Sequence, residues 1–397
     1  MSMIKTWRWF GEHDNVTFSD IKQAGVKNLV TSLFHVPYGE IWTKEDILWH
    51  KQLIEDNDLE WLVVESVPVH EDIKTRTGNY LQYIQNYKKS IENLGESGIK
   101  TVCYNFMPIM DWTRTDIDYK LDNGAHTLRF EKVALIAFDL FILNRTQAED
   151  DYTHVEIAEA RAYFEKLLDK EVEELTNLFI ANLPGTDEKY TLEEFGELLK
   201  KYEHIDTKKL KEHLYLFLEE IIPVAEKAGI QMCIHPDDPP YSLLGLPRIV
   251  SNEKDIDDLL SSVDSPNNGL TFCTGSLGVR PDNDLPSMFT RFADKVHFIH
   301  LRSTQRDEKG NFHEANHLEG DVDMYAVIKN ILIEQERRKK ADREDYAIPM
   351  RPDHGFQMMD DVGKEYYPGY SLIGRMKGLA ELTGLEYGII QSLDLES

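Results

Sequence analysis

Residues 219–240 read EEIIPVAEKAGIQMCIHPDDPP. The first half places apolar residues at helical spacing and runs into Ala228-Gly229. The second half, Ile230 to Ile234, is an apolar run that stops at His235. Glycine adopts the left-handed backbone that ends a helix, and the run beyond it then begins a strand. The same passage occurs twice earlier: SDIKQAG (19–25) leads into VKNLVTSL, and KKSIENLGESG (88–98) leads into IKTVCYNF. Thr17-Phe-Ser-Asp20 and Thr43-Lys-Glu-Asp46 resemble capping boxes at helix starts, with Asp in the place of the usual Glu.

Strands alternating with helices imply parallel βα units. Candidate strands fall near 4–9, 26–33, 60–65, 100–106, 230–235, 269–273, 295–300 and 346–351. Eight such units predict a closed (β/α)8 TIM barrel forming one catalytic domain over residues 1–397. An open doubly wound sheet is the competing arrangement. No G-x-G-x-x-G follows the first strand, which weakens its dinucleotide-binding form. The fourth strand ends near 106 and the fifth begins near 230. Between them, residues 120–215 are predicted as a helical insertion on the top face, rich in Glu and Lys as in ARAYFEKLLDKEVEELTNLF (160–179). LPGTDEKYTLEEF (183–195) reads as a turn and a capped helix within it. A separate small domain is the alternative for this segment.

The chain has 397 residues, 41% of them hydrophobic, enough for a large core. Its formal net charge is -27. Such a surface repels phosphate backbones and anionic lipid, so neither nucleic acid nor membrane is expected as a partner. A local basic pocket can still admit a small anion. No apolar stretch is long enough to span a bilayer, and MSMIKTWRWF lacks the apolar core of a signal peptide. With three cysteines in all, a disulfide framework is not expected and a cytoplasmic location is.

In such a barrel, chemistry sits at the carboxyl ends of the strands. The last four candidate strands end in His235, Cys273, His300 and Asp353 or His354. Side chains alternate along a strand. Gln231, Cys233 and His235 share one face, as do Thr271 and Cys273, His300 and Arg302, and Arg351 and Asp353. Met232, Ile234, Phe272, Ile299 and Leu301 take the other and suit packing against helices. A lone strand-end His or Cys is commonly a packed core residue. Four in succession, at one height, predict a metal site of His235, Cys273, His300 and Asp353 with room left for substrate. Close-set cysteine pairs of a structural zinc site are absent. Two imidazoles, a thiolate and a carboxylate suit Zn(II), Fe(II) or Co(II); Mn(II) prefers more oxygen.

Other strand ends carry Trp7 and Trp9, or Arg8; His35; Glu65 and His70; and Asn105, Asp111 and Arg114. Trp9, His35 and Asn105 are taken as substrate contacts. The stretch HLRSTQRDEKGNFHEANHLEGDVDMYAVIKN (300–330) reads as a long loop before a helix, where binding and catalysis concentrate. Arg302 and Arg306 are expected to clamp a carboxylate, and His313 and Tyr325 to be the acid–base pair.

These motifs resemble a known family. TGNY (77–80), CYNFMPIMDWTRTD (103–116), HPDDPP (235–240), GLPRIVS (245–251), CTGS (273–276), HLRST (300–304), HLEGDVDMY (317–325) and MRPDHG (350–355) look like the mannonate dehydratases of the hexuronate pathway. The similarity runs from TWRWFGEHD (6–14) to PGYSLIGRMKGLAEL (368–382). It implies a barrel of the xylose-isomerase-like group and a Mn(II) or Fe(II) ion on His235, Cys273, His300 and Asp353. It also implies a homodimer, and loss of water from D-mannonate to give 2-keto-3-deoxy-D-gluconate. Rival classes are an aldose–ketose isomerase, an endonuclease acting on DNA, and a non-catalytic sugar-acid binder. A cysteine ligand argues against the first and the net charge against the second; the third needs neither thiolate-bound ion nor acid–base pair.

Overall fold

The computed structural model describes residues 2–181 and 190–393. Twelve strands form among them: β1 Ile4–Arg8, β2 Asn28–Thr31, β3 Glu60–Glu65, β4 Thr101–Tyr104, β5 Asp116–Lys120, β6 His126–Phe130, β7 Gln231–Ile234, β8 Asn268–Cys273, β9 Val296–Leu301, β10 Thr304–Arg306, β11 Phe312–Glu314 and β12 Pro349–Pro352. Eight of them close a barrel in the order β1-β12-β9-β8-β7-β4-β3-β2, every pairing parallel. Each predicted strand is present, five of them at a shorter length.

A parallel barrel is buried on both faces of its strands, so each strand supplies two cores. Outward, Leu29, Val64, Val102, Met232, Ile234, Phe272, Ile299, Leu301 and Met350 join the large core beneath the helices. Inward, Val30, Val63, Cys103, Cys233 and Phe298 form a small separate cluster that plugs the lumen. Thr271 Oγ1 donates to Cys103 Sγ at 3.2 Å within it. Above this plug the inward positions turn polar, and there the mouth begins.

The helix–Gly–strand passages work as expected. Gly25, Gly98 and Gly229 have φ of +79°, +83° and +68°, and the Gly229 N–H returns to the Ala225 and Glu226 carbonyls before β7 starts. Thr17 and Asp20 form a full capping box. At Thr43 the side chain accepts from the Asp46 N–H.

The insertion differs from expectation at both ends. It opens with a β-hairpin, β5–β6, and not with a helix. That hairpin pairs through β6 with β11, and β11 with β10, giving a four-stranded antiparallel sheet in the order β10-β11-β6-β5. The stretch 300–330, read as a loop, therefore supplies two strands. They are three residues each and carry too little alternation to stand out. β5 follows β4 and β10 follows β9, so this sheet rises from the barrel mouth. Helices Lys132–Ala137, His154–Phe164, Asp169–Ala181 and Leu192–Lys200 follow in the insertion, with short helical turns at Phe138–Ile142 and Ala148–Asp151. The long helix Thr207–Ala228 belongs to the barrel, packing against Tyr80–Glu96 before feeding β7. Thr191 caps its helix as read, in a box with Glu194. The turn read at 183–189 lies outside the described residues. No helix among the described residues is long and apolar enough to cross a membrane.

Candidate metal centre and active site

Parity along the strands brings His235, Cys273 and His300 together. One atom from each, a ring nitrogen or the thiol sulfur, lies within 4.8 Å of the others. His235 extends β7 by one residue, its N–H donating to the Tyr104 carbonyl at 2.7 Å. Its Nδ1 donates to the Pro236 carbonyl at 2.7 Å, which leaves Nε2 bare, 3.1 Å from Nδ1 of His300. The other nitrogen of His300 lies 3.5 Å from Glu65 Oε2, so a carboxylate backs the ring. Such outer partners fix the tautomer of a metal-binding imidazole. Cys273 ends β8, and its sulfur accepts from the Ser276 N–H at 3.4 Å and the Ser276 hydroxyl at 3.1 Å.

Asp353 stands beside this trio. Its Oδ2 is 3.8 Å from Cys273 Sγ, and its carboxylate also meets Arg351 and, at 3.4 Å, Arg302. Burial alone pushes this carboxyl up, but Arg351, His354 and Arg302 hold it well below the usual range. Two facing imidazole nitrogens, a buried thiol and an ionised carboxylate fit a divalent ion of borderline softness.

Around the trio lies a dense buried ion network. Asp238 accepts from Arg114 at 2.8 Å, Arg302 at 2.7 Å and Ser276 at 3.2 Å. Glu314 meets Arg114 at 2.8 Å, Arg302 at 3.3 Å and His354 Nδ1 at 3.1 Å. Asp237, the other acid of HPDDPP, accepts from the Val250 N–H and the Ser251 hydroxyl and so anchors a loop.

Arg302 is therefore corrected from substrate clamp to structural cation: Asp238, Glu314 and Asp353 already surround it, and only 2% of it is exposed. Arg306 donates to the Gly278 carbonyl at 2.6 Å and lies 3.9 Å from Asp321, tied to the sheet. Trp9 is corrected too. Trp7 on β1 and Trp9 just beyond it face outward, and Trp9 packs on Phe18 and His50, while Arg8 takes the mouth. His35 lies on the surface, 3.7 Å from Asp46. Asn105 stays at the mouth, donating to Asp111 at 3.1 Å.

The acid–base pair read from sequence is not brought to the centre. On β11, Phe312 and Glu314 face the barrel and are buried, so the intervening His313 points to the other side, 5.8 Å from the Tyr119 ring. Tyr325 is on the first turn of the outer helix Met324–Lys340 and is 50% exposed, while Met324 takes the inward side.

Two other residues occupy the position these were expected to fill. His354 is buried next to Asp353, and its ring stands edge-on to Tyr370 at 5.2 Å. The Tyr370 ring has the Arg351 guanidinium 5.7 Å from its centroid. Burial raises the Tyr370 hydroxyl above its ordinary pKa, with Asp353 and Glu65 adding to that and Arg351 and Arg8 opposing, so it stays protonated. His354 was visible in sequence as an alternative end of the eighth strand. Tyr370 was not: it arrives on a turn through Gly369, φ +82°, where a Cβ would stand 2.9 Å from the His354 ring.

Known proteins match this chain over nearly all of its length. The family model described as D-mannonate dehydratase (UxuA) matches residues 3–394. A mannonate dehydratase of Marinomonas sp. is 54% identical over 392 residues, covering 98% of this chain and all of the relative. One from Saccharophagus degradans is 48% identical over 388 residues, covering 98% of each chain. The crystal structure of mannonate dehydratase from Streptococcus suis serotype 2 superposes with a TM-score of 0.77 at 33% identity, covering 99% of this chain and 95% of that one. A D-tagatose 3-epimerase-like protein, at 10% identity and a TM-score of 0.50, shares the fold alone. On this match along nearly its whole length, the chain belongs to the D-mannonate dehydratase family.

Proposed function

We propose that this chain removes water from D-mannonate to give 2-keto-3-deoxy-D-gluconate. In this reading a divalent ion, Mn(II) or Fe(II), rests on His235, Cys273, His300 and Asp353. The observation that carries the reading is the pair of imidazole nitrogens 3.1 Å apart beside a buried thiol, in a chain of this family. The proton on C2 of an aldonate is weakly acidic, because its removal adds charge next to a carboxylate. When bound, the ion supplies positive charge that stabilises the enediolate.

The chain's own residues handle the protons. His354 Nδ1 stands between Glu314 at 3.1 Å and Arg302 Nη1 at 3.0 Å; in this reading its proton lies toward the Glu314 carboxylate, and Nε2 accepts the one from C2. The protonated Tyr370 hydroxyl, beside His354, donates to the C3 hydroxyl as its C–O bond breaks and water departs. The resulting enol becomes the 2-keto acid. Glu65 and Arg351 hold His300 and Asp353 in place through an ion pair at 3.0 Å.

The test is an assay of purified protein with D-mannonate, following formation of the keto-deoxy acid. Turnover is expected, lost on chelation and restored by Mn(II) or Fe(II). Turnover that persists after complete removal of metal, or conversion of aldoses but not D-mannonate, contradicts the reading.

A further inference from the structure

An anionic substrate needs a cation at a mouth otherwise lined with acids. Glu65, Asp353, Asp238 and Glu314 all face it, and the molecule as a whole carries -27. Most nearby arginines are occupied. Arg351 is paired with Glu65 and Asp353, Arg114 with Asp238 and Glu314, and Arg302 with three carboxylates.

Arg8 differs. Alternation along β1 turns it inward, between the outward Trp7 and Trp9. Its guanidinium donates to the backbone carbonyl of Glu65 and, among the described residues, makes no ion pair with a carboxylate. The cation lies over the Phe10 ring at 4.8 Å and near the Phe34 ring at 5.5 Å, which hold it in one orientation. Phe34 is 49% exposed and Tyr367, stacked on Phe10, is 44% exposed, so the place is open to solvent. It also adjoins the metal trio, because the Glu65 that takes Arg8 on its carbonyl presents its carboxylate to His300.

We propose that the Arg8 guanidinium receives the substrate's carboxylate, and that this contact selects sugar acids over uncharged sugars and polyols. The proposal rests on the dehydratase reading for the identity of the acid. A planar fork held over aromatic faces, with donors free, suits bidentate capture of a carboxylate.

The test compares wild-type, Arg8→Gln and Arg8→Lys holoenzymes. D-mannonate is the substrate, and D-mannonamide, which lacks the charge, is the competitor. Arg8→Gln is expected to raise KM for D-mannonate about 10- to 100-fold while changing inhibition by the amide less than about threefold. Arg8→Lys keeps the charge but loses the fork and is expected to fall between. A KM within twofold of wild type, or equal losses for acid and amide, overturns the proposal. If Arg8→Gln does not fold, Arg8→Lys decides by the same criterion: KM up at least about fivefold with the amide unaffected, or not. Calorimetric binding of D-mannonate reads Arg8 without turnover. Tight binding lost in the variant, in a protein that does not dehydrate, would sink the activity and keep the Arg8 assignment. No binding of acid or amide to wild type overturns both.

Discussion

At Arg302, Asp238, Glu314 and Asp353 converge on a cation that is 2% exposed, and this explains why a motif arginine is not free to bind substrate. Buried charges are tolerated only in such company, and removing one member strands the rest. Asp238→Asn is therefore expected to destabilise the fold by about 3–5 kcal/mol, read by urea denaturation. A loss below about 1 kcal/mol would mean that water replaces the carboxylate. For the acid–base assignment, Tyr370→Phe and His354→Asn are each expected to lower kcat about 100- to 10,000-fold with fold and metal content retained. His313→Asn and Tyr325→Phe are expected to stay within a few fold of wild type. Solvent-deuterium exchange at C2 separates the pair: exchange should survive in Tyr370→Phe and vanish in His354→Asn. At this scale the trio was legible, because strand parity and a strand-end position are local properties of the chain. Tyr370 was not, since it reaches His354 by a turn that no periodicity records.

The elements show the same division. Eight strands and their glycine stops were legible because each is a short-range signal. The four-stranded sheet at the mouth was not, because it joins residues 116–130 to 304–314 and neither half can be recognised alone. Its inner face is what closes the site. Phe312 stacks on Phe130 at 5.4 Å, the Arg114 cation lies 4.8 Å from the Phe312 ring, and Glu314 reaches the ion network. Phe312→Ala is expected to cost about 3–5 kcal/mol by cavity formation if the sheet unfolds with the barrel. If the sheet opens on its own, the same change should leave global unfolding nearly unmoved. It should then speed amide exchange in residues 126–130 and 304–314 by at least about tenfold. Wild-type exchange and an unchanged urea midpoint together would contradict this role.

For the whole molecule, pH tests how the core treats its histidines. Burial lowers His50 and His297 to about 4, with His35 adding to the effect on the first and Arg338 on the second. The folded form thus keeps both neutral. Their contribution to stability is complete above the unfolded value of about 6.5 and is lost as pH falls toward 4. Each is expected to cost about 2 kcal/mol between pH 7 and pH 5. His297→Gln should flatten that loss in urea titrations; an unchanged pH slope would contradict the assignment. The central claim concerns the ion at the barrel mouth. Elemental analysis of wild-type protein and of Cys273→Ser, both purified without added metal and assayed on D-mannonate, addresses it most directly. The expected result is about one Mn or Fe per wild-type chain, with metal and turnover falling together at least about tenfold in the variant. Full activity in a metal-free wild type, or an undiminished ion in Cys273→Ser, would contradict it.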